Sequence, residues 1–230
     1  MPGFYFDPNY MLWIAPAVLL GLWAQWRVKA NFTAAAQEPA PLSGAAAARL
    51  ILDSAGATDV RIETSPGHLT DHYDPREKVL RLSEDVYSAK SLAAVGIAAL
   101  EAGHALQDAQ NYGLMAVRNA AVGMANFGSG IGMLLLMIGI GMSLSSIAWL
   151  GVLFFAGTVF FQLVNLPVEF DASNRAKAQL VALGIVPAAE MPAVNRVLDA
   201  AAWTYVAATL QSVLTLLYYM SRLSGSSDDR

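Results

Sequence analysis

The sequence contains no cysteine and has little charge. Asp, Glu, Lys and Arg make up 14% of its 230 residues, and hydrophobic residues make up 56%. Typical soluble domains are roughly 25% charged. Without cysteine, disulfides and cysteine-ligated metal sites are excluded. The net charge of −4 and the lack of a basic stripe argue against nucleic acid as a partner. Because the charges are missing in long blocks, the composition indicates a membrane protein.

Charge-free stretches predict about four transmembrane helices. Residues 8–26, 119–168 and 200–221 contain no Asp, Glu, Lys or Arg. The middle stretch is too long for one span of about 20 residues, so it predicts a hairpin with its turn at residues 143–146. Gly128 and Gly132 form a GxxxG pair, which we expect to pack within the chain rather than in a dimer. Residues 1–7 carry no basic residue, which favours a retained anchor over a cleaved signal peptide.

The basic residues predict the orientation in the cell membrane. Segments 27–118 and 169–199 together hold twelve Lys and Arg residues, whereas the opposite side holds Arg222 and Arg230. Basic residues are enriched on the cytoplasmic side, so we expect both segments there and both termini outside. The predicted organisation is a span at 1–29, a cytoplasmic region at 30–118, a two-helix hairpin at 119–167, a second cytoplasmic region at 168–199, a span at 200–222 and a polar tail at 223–230.

The polar region predicts a small α+β unit. Residues 41–56 are rich in alanine and read as a helix that Ser43 caps and Gly56 ends. Residues 60–64 and 78–82 alternate in hydrophobicity around Pro- and Gly-containing turns, which predicts a short antiparallel sheet. A second helix is expected from Ser91 to Gln107.

The residues most suggestive of chemistry are Glu101 and His104. Two histidines four apart on a helix can hold one zinc ion, and a glutamate beside the first can activate water. Glu101 and His104 occupy the base and second-ligand positions of such a motif, but Leu100 stands at the first. Taken by itself, the spacing of Glu101 and His104 is more simply explained by a structural contact between two partly buried side chains. Glu169 follows Pro167 at a predicted helix start and is either a third ligand or a carboxylate that the helix dipole stabilises.

Several ordered segments resemble the bacterial membrane-embedded neutral zinc metallopeptidases. The segments that carry this resemblance are residues 24–29, 69–75, 80–83, 91–96, 101–107, 166–172 and 200–208. The resemblance implies a mainly helical inner-membrane protein with a gluzincin-like core. It also implies that His104 and Glu169 bind zinc, that Glu101 is the general base, and that strand 78–83 is the edge for an extended substrate.

The chain departs from that family pattern at the first ligand. The family has His-Glu-x-x-His, whereas this chain has Leu100, whose side chain has no donor atom. Ser173 stands where related sites often place an aspartate that orients a histidine. His72 is a candidate substitute ligand, and His72 and Asp171 are candidates for supporting contacts. We therefore expect zinc to bind weakly or not at all.

Three functions remain open at this point. The favoured one is a pseudopeptidase that binds peptides or acts as an assembly subunit of a membrane protein complex. The first alternative is an active zinc metallopeptidase with a substitute ligand, and the second is an unrelated membrane scaffold. The partners expected are membrane lipid, a peptide or protein bound by strand addition, and other membrane proteins.

Overall fold

The structure is a computed structural model that describes residues 7–225. Within this range the chain is mainly helical and carries one small sheet, as the sequence predicts. Its elements are α1 (Pro8–Ala36), α2 (Gly44–Ser54), β1 (Arg61–Ser65), β2 (His72–Asp74), β3 (Val79–Ser83), α3 (Glu84–Tyr87), α4 (Leu92–Ala109), α5 (Gly113–Phe127), a π-helical turn (Gly128–Gly132), α6 (Met133–Gly141), α7 (Ser145–Ala182) and α8 (Met191–Gly225).

Four helical segments are long and apolar enough to cross a membrane. They are Pro8–Ala36, Gly113–Gly141, Ser145–Ala182 and Met191–Gly225, which confirms the predicted number of spans. The expected turn lies between α6 and α7, where Ser143 has a φ of 57°. α1 continues beyond residue 29 and α8 begins before residue 200, because charge-free composition marks the apolar part of a helix rather than its ends. Both termini, including most of the predicted tail, lie outside the described residues.

One compact unit, here called the span unit, comprises the described residues up to Trp23, Val117–Pro167, and those from Thr204 onward. Its helices approach closely at glycines. A Cβ atom added at Gly128 would lie 2.4 Å from the Phe154 carbonyl oxygen, and one at Gly139 would lie 2.3 Å from the Ala148 nitrogen. The glycines of the GxxxG pair therefore pack within the chain, as expected. Large apolar side chains such as Leu12 and Leu153 remain exposed for lipid contact.

The second compact unit, here called the site unit, comprises Ala24–Ala116 and Val168–Trp203. Its sheet has the strand order β1-β3-β2, in which β3 pairs parallel with β1 and antiparallel with β2. The predicted all-antiparallel sheet is therefore wrong. β1 is joined to β3 by residues 66–78, which are long enough for a parallel crossover, and β2 lies within that connection. β3 is the central strand, so it is not the open edge expected for a substrate.

The two helices predicted in the site unit are confirmed. The Ser43 hydroxyl accepts a hydrogen bond from the Ala46 amide at 3.3 Å and caps α2. The Ser91 hydroxyl caps α4 in the same way, accepting from the Ala94 amide at 3.3 Å. α4 is apolar on almost every face, and it lies in the core of the unit, as such a helix must.

Candidate functional site

The site forms where α4 packs against α7. Gly103 lets the two helices approach, because a Cβ atom there would lie only 2.6 Å from the Ala172 carbonyl oxygen. Ala172 is fully buried, and Val168 beside it is also fully buried. Any larger residue at position 103 would therefore push α4 and α7 apart, next to the α4 residues that follow position 103.

His104 and Glu169 meet across this contact. His104 Nε2 lies 3.3 Å from Glu169 Oε2, and both side chains are buried. This confirms the expectation that the two residues approach within a few ångströms on facing helices. The helix start predicted at Pro167 is wrong, since Pro167 lies inside α7. Proline is tolerated inside membrane helices, where neighbouring groups satisfy the freed backbone. A helix-start dipole therefore does not explain Glu169.

Glu101 lies one turn before His104 and is also buried. Burial is the largest cause that raises the pKa of the Glu101 carboxyl to about 7. The negative charges of Glu169 and Asp71 raise this pKa further, while His104 and His72 oppose the rise. A carboxyl group in this state can both donate and accept a proton near neutral pH, which is the property of a general base or acid.

A hydrogen-bonded network supports His104 from behind. Gln107 Oε1 lies 3.0 Å from His104 Nδ1. Gln107 Nε2 donates at 2.8 Å to both the Val168 carbonyl oxygen and Asp171 Oδ2. Arg175 in turn contacts Asp171 and Gln110. Gln107 thus links His104 to Asp171.

Gln107 is a residue that reasoning from the sequence missed. It is fully buried, and it lies three positions after His104 on the same helix face. A polar side chain one turn after His104, on a helix whose residues are mostly apolar, was the available signal. Gly103 was also passed over, since its role depends on α7, which the sequence does not place beside α4.

The remaining predicted residues lie around this centre. Leu100 is 8% exposed and belongs to the apolar core of the site unit. Ser173 is buried on α7. His72 lies exposed on β2, where its Nδ1 is 2.8 Å from the Thr70 carbonyl oxygen. Within residues 7–225, no three His, Asp or Glu side chains are grouped so that they could hold a metal ion.

The donor set fits zinc only in part. Two atoms bound at about 2.0–2.1 Å to one tetrahedral ion lie about 3.3 Å apart, which matches the separation of His104 Nε2 and Glu169 Oε2. A catalytic zinc site, however, uses three protein ligands and a water. In a His-Glu-x-x-His motif the third ligand would stand at position 100, where this chain has the apolar Leu100. The residues present do not fit a catalytic zinc ion.

The protein has four apolar helices, a buried pair of His104 with Glu169, and a buried Glu101 nearby. This combination is typical of the class of membrane zinc peptidases. A family model described as "Putative neutral zinc metallopeptidase" matches residues 10–224, and the chain belongs to this family. The chain is also 43% identical over 215 residues to "Putative membrane protease YugP" of Bacillus subtilis (strain 168), covering 93% of this chain and 96% of that protein. No solved structure matches the chain at a significant level.

Proposed function

We propose that this member of the membrane zinc-metallopeptidase family has weakened or lost its peptidase activity and serves to bind peptides or to assemble with other membrane proteins. The observation that carries this proposal is that, within residues 7–225, His104 and Glu169 pair without a third candidate ligand, while Leu100 stands at the first-ligand position of the motif. Zinc supplies such sites with a water of lowered pKa. With an apolar side chain at the third position, no hydrolytic step follows from the residues of this chain.

Retention of the surrounding structure supports a binding role over an unrelated scaffold. The close helix contact at Gly103 and the buried polar contacts of His104 are both present. Leaving two buried ionisable groups in an apolar core is costly unless they are paired, and a scaffold does not need them. These buried polar contacts therefore favour a binding site over an unrelated scaffold.

The sheet offers a place for an extended peptide at β2. β3 is paired with β1 on one side and with β2 on the other. The Ser83 amide at the end of β3, beyond its pairing with β2, is also occupied, since it donates to Asp71 Oδ1 at 2.8 Å. β2 is the edge strand nearest to α4, since the Tyr73 hydroxyl on β2 donates to Asp108 on α4 at 2.8 Å. A peptide added to this edge would lie beside the site and be held by main-chain hydrogen bonds.

Metal content and hydrolysis test the loss of activity. The full chain, purified in mild detergent, should contain far less than one zinc per molecule and should not cleave an unstructured polypeptide. One zinc per chain together with cleavage that a chelator stops would overturn the proposal. In that case His72→Ala would be the first variant to test, because His72 is the candidate substitute ligand.

Photo-crosslinking tests the binding role and its location. Because the chain has no cysteine, a single cysteine can carry a photoreactive label at the exposed His72 of β2 or, as a matched control, at the exposed Thr64 of β1. An unstructured polypeptide should crosslink more strongly from position 72. Equal or stronger crosslinking from position 64 would exclude the β2 edge. No crosslink from either position, with a membrane protein co-purifying stoichiometrically, would favour the assembly role.

We further infer that the site unit faces the cytoplasm. The motivation is the excess of Lys and Arg in segments 27–118 and 169–199. Single cysteines at the exposed Ser88 and Ser146 should report opposite sides in intact cells. A membrane-impermeant maleimide should label position 146 and not position 88. The reverse pattern would show the opposite orientation. Labelling at both positions would show that they lie on the same side of the membrane, so that one of the proposed spans does not cross it.

A further inference from the structure

We infer that Gln107 is the positioning residue of His104, and that it fixes the hydrogen of the imidazole on Nδ1 so that Nε2 faces Glu169. This inference is independent of whether the chain hydrolyses peptides. The inference concerns which nitrogen of the His104 ring carries the hydrogen. It also concerns why this ring has a single orientation although the site has no third ligand.

The orientation of the Gln107 amide is set by its partners. The Val168 carbonyl oxygen and the Asp171 carboxylate can only accept hydrogen bonds, and both lie 2.8 Å from the same Gln107 atom. That atom must therefore be the NH₂ nitrogen, which has two hydrogens to donate. The Gln107 oxygen is then the atom that faces His104, and the reverse orientation would place an acceptor against two acceptors.

The orientation of the amide decides the state of the ring. An amide oxygen cannot donate, so the 3.0 Å contact between Gln107 Oε1 and His104 Nδ1 requires a hydrogen on Nδ1. Gln107 is fully buried, so bulk water does not reach its amide oxygen. The other ring nitrogen, Nε2, lies 3.3 Å from Glu169 Oε2, in a contact that does not have hydrogen-bond geometry. This is the orientation in which a histidine presents Nε2 as a ligand.

The network extends from Gln107 to the surface and returns to α4. Asp171 is held by Arg175 four residues later on α7, and Arg175 also contacts Gln110 at the end of α4. The Arg175 guanidinium lies 5.5 Å from the centre of the Tyr112 ring. The acceptor that orients Gln107 is therefore itself fixed on both helices. In many zinc sites a carboxylate or carbonyl orients the histidine directly, whereas here an amide transmits the orientation.

Nitrogen-15 spectra of the histidine rings test this inference in the zinc-free full chain. The chain contains three histidines, so the His104 signals can be assigned as those lost in His104→Asn. At about pH 9, well above the ordinary histidine pKa of about 6.5, the wild-type His104 should show a pyrrole-type Nδ1 signal. In Gln107→Leu this signal should be lost and Nε2 should carry the hydrogen, because Nδ1 then has lost the acceptor that held the hydrogen there.

Two further variants separate positioning from a general structural effect. Gln107→Glu keeps an oxygen acceptor for Nδ1 and should keep the pyrrole-type Nδ1 signal, even though it loses the donors to α7. Gln110→Leu removes an exposed contact of the same network without touching His104, and it should leave the ring signals unchanged. A pyridine-type Nδ1 in the wild-type chain, or a pyrrole-type Nδ1 retained in a folded Gln107→Leu, would overturn the inference. Neither result bears on whether the chain cleaves peptides.

Discussion

The span unit and the site unit bring helices together by the same means but fill the contact differently. In both units glycine lets two backbones touch, at Gly139 against Ala148 in one and at Gly103 against Ala172 in the other. The buried acidic and basic side chains of the described residues all lie in the site unit: Glu101, His104 and Glu169. The buried polar side chains of the span unit are uncharged: Asn165, Thr209, Ser212 and Thr215.

This difference distinguishes the span unit, whose apolar surface suits contact with lipid, from the site unit, which holds the candidate site. Charged groups are expensive within a bilayer, and the span unit buries none among its described residues. The site unit buries three in an apolar core, where His104 contacts both Gln107 and Glu169. The contrast shows that buried ionisable side chains occur in the site unit and not among the described residues of the span unit.

The largest expected effect is a gain of zinc binding in Leu100→His. The new imidazole would complete a set of three ligands with His104 and Glu169, whose donor atoms already lie 3.3 Å apart. Losing a supporting residue near zinc typically weakens binding 10–100-fold, so adding a direct ligand should strengthen binding by more than about 100-fold. Metal analysis after dialysis should give close to one zinc per chain. The variant should also cleave an unstructured polypeptide slowly.

Two comparisons make that result specific. Leu100→Gln has similar size and polarity without an imidazole, and it should gain little zinc. Leu100→His combined with Glu169→Gln should lose the gain, because the third donor is then weakened. If a folded Leu100→His binds no more zinc than the wild-type chain, the shared site of His104 and Glu169 is refuted.

The next largest effect is on the pH dependence of stability, through Glu101. Its pKa is raised from 4.5 to about 7 in the folded chain. Between these values the unfolded chain has released a proton that the folded chain still holds, so stability falls as pH rises. The full penalty, about 3 kcal/mol, is reached above pH 7. Glu101→Gln should remove this dependence and be more stable than the wild-type chain at pH 8.

Unfolding midpoints in mixed detergent at pH 5 and pH 8 would measure this effect. Glu84→Gln, on the exposed first turn of α3, is the matched control and should follow the wild-type chain at both pH values. The span unit buries no carboxylate among its described residues, so no comparable dependence is expected from it. A Glu101→Gln chain that loses stability on going from pH 5 to pH 8 as steeply as the wild-type chain would contradict the burial of an ionisable group at this position.

Substituting the contact glycines tests the feature that the two units share. Gly103→Ala and Gly139→Ala each place a Cβ atom within 2.6 Å of a facing backbone atom. Overpacking of this kind typically costs about 1–3 kcal/mol, so both variants should unfold at lower denaturant. Only Gly103→Ala should also alter the nitrogen-15 signals of His104. Gly123→Ala, whose added Cβ atom meets nothing within 4 Å, is the control and should be neutral or slightly stabilised.

The sequence predicted the helices well because their signals are local. Ser43 and Ser91 cap the helices that they were expected to cap, and the charge-free stretches mark four spans. Strand pairing was predicted less well, since the parallel pairing of β1 with β3 depends on the path of residues 66–78 rather than on hydrophobic alternation. Pro167 was misplaced for a related reason. Proline favours the first turn of helices in soluble proteins, but it is tolerated inside membrane helices, and Pro167 lies inside α7.

The candidate site was predictable only in part. His104 and Glu169 were brought together by resemblance to a family, and the structure confirms their approach. The chain itself gives no local signal for a contact between residues 65 positions apart. Gln107 and Gly103 could not be assigned roles, because each acts on α7 and the packing of α4 against α7 is a tertiary fact.

The smallest effect is expected from Gln107→Leu in the Leu100→His background. With three ligands in place, Gln107 still fixes the hydrogen of His104 on Nδ1 and so leaves Nε2 available to the metal. Without it, the hydrogen moves to Nε2 and must be displaced before zinc can bind. Zinc affinity should therefore fall 10–100-fold, the usual effect of removing such a supporting contact. Gln110→Leu in the same background should change affinity by less than about threefold, well below that range. Equal affinities in the Gln107 and Gln110 variants, measured by competition with a chelator of known strength, would show that the amide has no influence on the metal. The buried network of the site unit would then act only in holding α4 to α7, like the apolar contacts of the span unit.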